Sequence, residues 1–167
     1  MTERLIFGRQ QDVQELDTPD EEPVSVSDVK TSLGISFTAH DVEIGKLITA
    51  CRKTVEEGLN VSLTGKLVSV SWEEFYDSLP LPYTPLADSP ALTVTDLDDV
   101  AIDSGLYKVY SVGVTSTLKG DFPNGVKLTY TTQALADEGI NKKLIDAVKS
   151  CLDQDMTVNE AVKKHFR

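Results

Sequence analysis

Apolar positions along this chain change period twice. From Ile44 they recur at Ile48, Cys51, Val55 and Leu59, in steps of four, three, four and four, with Leu47 widening the stripe. Glu43, Lys46, Arg52, Lys53, Glu56 and Glu57 lie mostly off that stripe, which predicts an amphipathic helix ended by Gly58 and Asn60. Thr38, with Asp41 three residues on, is its expected cap. A short helix precedes it, with Ser27 as the expected cap and Gly34 as the stop.

The period then drops to two. Val68, Val70 and Trp72 alternate with Ser69 and Ser71, which predicts a strand with one buried face. Leu92-Thr93-Val94-Thr95 reads as a strand and Asp96-Leu97-Asp98-Asp99 as its turn. Further strands are expected at Tyr107-Lys108-Val109-Tyr110-Ser111-Val112 and around Val126, Leu128 and Tyr130. Between those two, Lys119-Gly120-Asp121-Phe122-Pro123-Asn124-Gly125 reads as a tight polar loop with an Asn-Gly turn. Pro80, Pro82, Pro85 and Pro90 punctuate an extended connection that must be an edge or a loop.

Helical spacing returns with Ile140, Leu144, Val148 and Cys151, joined by Ile145 and Leu152. Thr157-Val158-Asn159-Glu160 then forms a capping box ahead of Ala161, Val162 and His165, and Lys163, Lys164 and Arg167 suit the end of that helix. The order predicts an α+β fold: an N-terminal helix pair, central antiparallel strands, and C-terminal helices packed as a helical bundle beside the sheet. By composition, residues 1–23 form an acidic arm, residues 24–153 a domain, and residues 154–167 an amphipathic end segment. The arm has an apolar anchor, Leu5-Ile6-Phe7, and then a polar, acidic run that cannot fold alone.

Charge narrows the possible partners. The formal net charge of -11 excludes a general nucleic-acid binder, which needs clustered Lys and Arg. The arm is strongly acidic and the stretch from residue 139 onward is weakly basic, an asymmetry able to steer head-to-tail packing. No apolar run is long enough to span a bilayer, and the N-terminus lacks a signal peptide's apolar core, so a soluble chain used in the cytoplasm is expected. Cys51 and Cys151 sit on apolar helix faces and read as free thiols in a reducing compartment, with one disulfide between them as the alternative.

Candidate chemistry is thin. Glu73, Glu74 and Asp77 beside Trp72 offer carboxylates for acid–base work, with a fraying strand end as the competing account. His40, Cys51, Cys151 and His165 match no zinc spacing. Asp96, Asp98, Asp99 and Asp103 lack the glycine and the terminal glutamate of a calcium loop. Walker, Rossmann and nucleophile-elbow patterns are absent, so neither catalysis nor any cofactor or metal is expected.

The order of weak motifs carries more. Ser27-Asp28-Val29-Lys30 with Leu33 is followed by Asp41, Leu47-Ile48-Thr49-Ala50 and Val55-Glu56. Leu81-Pro82 with Pro85-Leu86, Gly105-Leu106-Tyr107-Lys108-Val109, Val126-Lys127-Leu128-Thr129-Tyr130 and a helix from Ile140 to Leu152 complete the series. In this order the chain resembles the head–tail connector (adaptor) proteins of tailed bacteriophages. The arm and the second C-terminal helix depart from that pattern.

The resemblance implies a structural virion protein, assembled in host cytoplasm into a homo-oligomeric, dodecameric ring at the head–tail interface. Its partners would be the portal protein, a downstream adaptor, stopper or tail protein, and DNA passing through the channel without sequence-specific binding. An acidic wall suits that passage because it repels phosphate. Portal or subunit contact is expected from Leu5, Ile6 and Phe7 in the arm and from Val158, Val162, Phe166, Lys163, Lys164 and Arg167 at the other end. A helix packed on its own domain is the competing account of the latter. Lys119, Asp121, Phe122 and Asn124 are expected on a loop facing the channel or a neighbouring ring. The rival readings are a tail-completion or stopper protein, a small enzyme with its site around Glu74, and a regulatory module using the acidic arm.

Overall fold

Ser25, not Ser27, starts the first helix. Its hydroxyl accepts from the Asp28 N–H at 3.1 Å while the Asp28 carboxylate accepts from the Ser25 N–H at 3.0 Å, a reciprocal capping box. In this computed structural model, which describes residues 10–17, 21–73, 77–88, 92–135 and 137–166, the helix α1 spans Val26–Leu33 and closes on Gly34 in the left-handed region. The helix α2 spans Asp41–Leu59. His40 precedes it without a side-chain cap, and Asn60 closes it at φ 56°. The helices α3, Glu138–Asp153, and α4, Val158–His165, start from Asp137 and from the expected Thr157–Glu160 box.

The strands are β1 (Gln10–Glu15), β2 (Leu67–Trp72), β3 (Ser78–Pro80), β4 (Thr93–Thr95), β5 (Tyr107–Val112), β6 (Thr115–Gly120) and β7 (Val126–Thr131). All pair antiparallel, in one sheet ordered β1-β2-β7-β4 and another ordered β3-β6-β5. Two corrections follow. Residues 10–15, read as part of an arm unable to fold alone, are an edge strand paired with β2, with Val13 packed inward. Lys119 and Gly120, read as loop, end a strand whose polar Thr115-Ser116-Thr117 start hides it from apolar alternation.

The chain divides into two compact units. One comprises Met1–Thr18 and Gly65–Ala134 and holds both sheets. Its core gathers Val68, Val70 and Trp72 from β2, Leu118 from β6, and Val126, Leu128 and Tyr130 from β7, together with Phe122. The Tyr130 hydroxyl donates to the Pro82 carbonyl at 2.5 Å, so a buried polar tip is satisfied. Lys66 is also buried. Its ammonium lies 2.8 Å from the Glu15 carboxylate and 4.1 Å above the Tyr83 ring, which ties acidic β1 to the sheet.

The other unit comprises Pro19–Thr64 and Leu135–Arg167 and holds the four helices. Val29, Ile44, Ile48, Cys51, Val55, Leu144, Ala147, Val148 and Ala161 form its core. Arg52 and Glu56, expected mostly off the apolar stripe, are both buried. The Arg52 guanidinium donates to Glu22 at 2.7 Å and to Glu56 at 2.8 Å. Glu56 also accepts the Leu63 N–H at 2.8 Å, and Glu22 accepts the Thr49 hydroxyl at 2.8 Å. Such a network survives burial because each charge has a partner and its spare lone pairs are filled.

Candidate functional site

Alternation along β5 turns Tyr107 and Val109 towards the core and leaves Lys108, Tyr110 and Val112 outside. The β5–β6 hairpin turns at Gly113-Val114. There the Thr115 hydroxyl donates to the Val112 carbonyl at 2.9 Å, and the Ser111 and Ser116 hydroxyls lie 2.8 Å apart. Its tip is apolar and wet: Tyr110 is 49% exposed, Val112 78% and Val114 44%, with Leu106 at 66% beside the start of β5. Scattered exposed apolar residues are ordinary, but several on one hairpin mark an interaction surface.

The end of β6 and the segment after it carry the residues expected on the channel loop. Lys119, Asp121 and Asn124 are exposed. Asp121 accepts the Asp77 N–H at 3.2 Å, and Lys119 lies 4.0 Å from the Asp77 carboxylate. Phe122 is 4% exposed and belongs to the core, so it anchors the loop from below. Gly125 follows at φ 85°, where a Cβ would lie 2.7 Å from the Trp72 carbonyl oxygen, too close for any other residue.

At the other end, Val162 is buried, and Val158 and Phe166 pack against the helical core. The apolar side of α4 is thus used within its own unit. Lys163 and Lys164 remain exposed, and Lys164 donates to Gln154 at 3.0 Å. Lys143 sits 5.8 Å from the Phe166 ring centre. Leu5, Ile6, Phe7 and Arg167 lie outside the described residues.

The candidate chemistry disperses. His165 pairs with Ser150 at 2.9 Å, and His40 stacks edge-on to Phe37. Among the described residues no group of three or more His, Cys, Asp or Glu side chains is placed to hold a metal ion. Asp96 accepts the N–H groups of Asp98 and Val100, and Asp99 pairs with Lys127 at 2.7 Å, so these carboxylates build a turn. Cys51 and Cys151 are free thiols. Burial pushes the Cys51 thiol up to about 12, and burial also raises Cys151, so neither is a ready nucleophile. Glu73 and Asp77 are exposed, and Glu74 lies outside the described residues. No described helix is long and apolar enough to cross a membrane.

Residues 23–89 match the family described as phage gp6-like head-tail connector protein. This stretch is thus similar to a head–tail connector protein. The match takes in α1, α2, β2 and β3 and runs past the Leu81-Pro82 and Pro85-Leu86 pairs. No curated protein matches this chain. A solved structure of the neck of an empty GTA particle, computed with C6 symmetry, contains a chain with the same fold. The likeness has a TM-score of 0.70 at 13% identity and covers 93% of this chain and 95% of that one. At such low identity the likeness concerns the fold, and it extends over both units. The family whose description matches residues 23–89 is named for the junction of head and tail.

Proposed function

We propose that this chain forms a ring between the capsid portal and the tail, through whose channel DNA passes. The observation that carries the reading is the head–tail connector match over residues 23–89, with a fold that follows a particle-neck chain along nearly its whole length. A dodecameric ring is compatible with the sixfold axis used for that neck. Identical subunits close such a ring through one heterologous contact repeated around the axis.

Within the ring, the exposed Lys163 and Lys164 of α4 face the portal, and Arg167 extends the same basic end. Val158, Val162 and Phe166 act there indirectly, by holding α4 on its unit. Leu5, Ile6 and Phe7 make subunit contact. Lys119, Asp121 and Asn124 line the channel or meet the next ring, with Phe122 fixing their loop. The net charge of -11 keeps DNA from sticking to the wall.

Affinity capture of the tagged full chain from infected cells, followed by negative-stain imaging, tests this. Portal recovered with a ring beneath it is the expected outcome. Tail proteins recovered without portal would replace the reading with a tail-completion role, and the absence of any virion protein would end it.

A further inference from the structure

The two sheets expose four edges, and three are guarded. Strand β1 carries a register shift between Gln10 and Asp12 and the acids Asp12 and Glu15. Strand β4 is three residues long, and residues 100–102 fold back over it, with the Ile102 N–H donating to the Val94 carbonyl at 3.0 Å. Strand β3 is three residues long and ends in Pro80. Such devices block strand addition. Strand β5 has none of them: its six residues pair with β6 in unbroken register, it holds no proline, and beyond Lys108 it is uncharged. Among the described residues nothing pairs with its far side.

That open edge borders a groove of about 440 Å³. Val109, Ser111 and Gly113 form one wall, and Leu86, Asp88 and Leu92 help to form the others. An extended segment laid along β5 would send alternate side chains into this groove and the rest over Tyr110 and Val112 on the outer face. A segment apolar at consecutive positions would meet Leu86, Leu92 and Val109 on one face and Tyr110 and Val112 on the other. The sequence holds such a stretch in Leu5-Ile6-Phe7, framed by Arg4 and Arg9, whose charge is opposite to that of Asp88 at the groove. Three β-propensive apolar residues in a row serve both faces of an added strand.

We propose that Arg4–Arg9 of a second copy of this chain docks along β5, with Leu5 and Phe7 in the groove and Ile6 over Tyr110. The proposal rests on the ring reading above and names the contact that would close the ring: each copy gives a strand to the next and receives one from the other side, a heterologous contact.

The test places a photo-reactive benzophenone amino acid at Tyr110 of the full chain. An equal mixture of light and isotopically heavy chains is assembled onto portal-bearing particles, and rings are scored by imaging. Mixed-isotope cross-links between position 110 and the Arg4–Arg9 peptide are expected. Leu5→Asp with Phe7→Asp should lower their yield about tenfold while the free chain's melting stays unchanged. Rings that form with only same-copy cross-links, or with position 110 joined to another protein or to nothing, would overturn the strand exchange and leave the ring reading standing. Mixed cross-links without rings would support the exchange and overturn the ring. Neither rings nor mixed cross-links would overturn both.

Discussion

The two units solve the same burial problem in opposite ways. The helical unit closes on itself. Its helices α1, α3 and α4 start on side-chain caps, its buried charges are paired, and even the apolar side of basic α4 is spent on its own core. The sheet unit also buries a core yet leaves Leu16, Leu97, Val100, Leu106, Tyr110, Val112 and Val114 exposed, against Phe37, Val42 and Leu59 in the helical unit. A helix satisfies its own backbone, whereas a sheet must end somewhere, and its last strand is an offer to another chain. The difference teaches that an unpaired edge is a property of the sheets, while the helices complete their own hydrogen bonding.

The hardest way to break the contrast is to remove the charge at the centre of the helical unit. Arg52→Met leaves the buried Glu56 without its cation and should cost about 3–5 kcal/mol, read by denaturant unfolding. Replacing Glu56 by Leu in the same chain should recover part of that loss. Unchanged stability in the single variant would show that the network contributes nothing.

In the sheet unit, Gly125→Ala forces a Cβ against the Trp72 and Glu73 carbonyls at a positive φ. A loss of about 2–3 kcal/mol is expected, with faster amide exchange in β7 than in the helices. Exchange rising equally everywhere would mean that the units share one unfolding event.

Smaller again is Thr157→Ala, which removes the side-chain cap of α4 and should cost about 1 kcal/mol. It should loosen α4 before any strand. Thiol labelling sharpens the same contrast from another side. Folded chain at mildly alkaline pH should react slowly at Cys151 and more slowly still at the buried Cys51, whereas unfolded chain labels both at once. Rapid native labelling of Cys51 would contradict the packing of α2.

The smallest effect is with acid. Side-chain and backbone hydrogen bonds from Ser25 hold Asp28 below the usual carboxylate range, and those from Thr157 do the same for Glu160. Their folded values are lowered, so the stability they lend is present above the ordinary carboxylate value and is lost as pH falls through the lowered one. Helix signal should therefore decline at acid pH in the wild type, and less so in Asp28→Asn with Glu160→Gln. Identical acid titrations of the two chains would exclude this linkage.

Much of this architecture is legible in the residues. Where one face is apolar and the other polar, as in Val68-Ser69-Val70-Ser71-Trp72 or Ile44 to Leu59, period alone finds the element. It fails where burial falls on polar atoms. Strand β6 faces inward through Ser116 as well as Leu118, and β1 is held by the Lys66–Glu15 pair more than by apolar area. Arg52 reads as a solvated charge until Glu22, thirty residues earlier, comes beside it. Phe122 hides in a polar loop because its aromatic ring points down while its neighbours point out. The candidate surface escapes sequence reading for a related reason. Nothing in Tyr107 to Val112 says which side of the strand will lack a neighbour, and only the strand order supplies that.

The helical unit is written in two pieces, with Gly65–Ala134 between them. A ribosome therefore releases α1 and α2 long before Leu144, Ala147 and Val148 exist to cover Ile44 and Ile48. Translation that halts within the interval yields a helix pair with an uncovered apolar face, exposed to chaperones and proteases. Chain layout thus makes the covering of α1 and α2 depend on residues that are made nearly last.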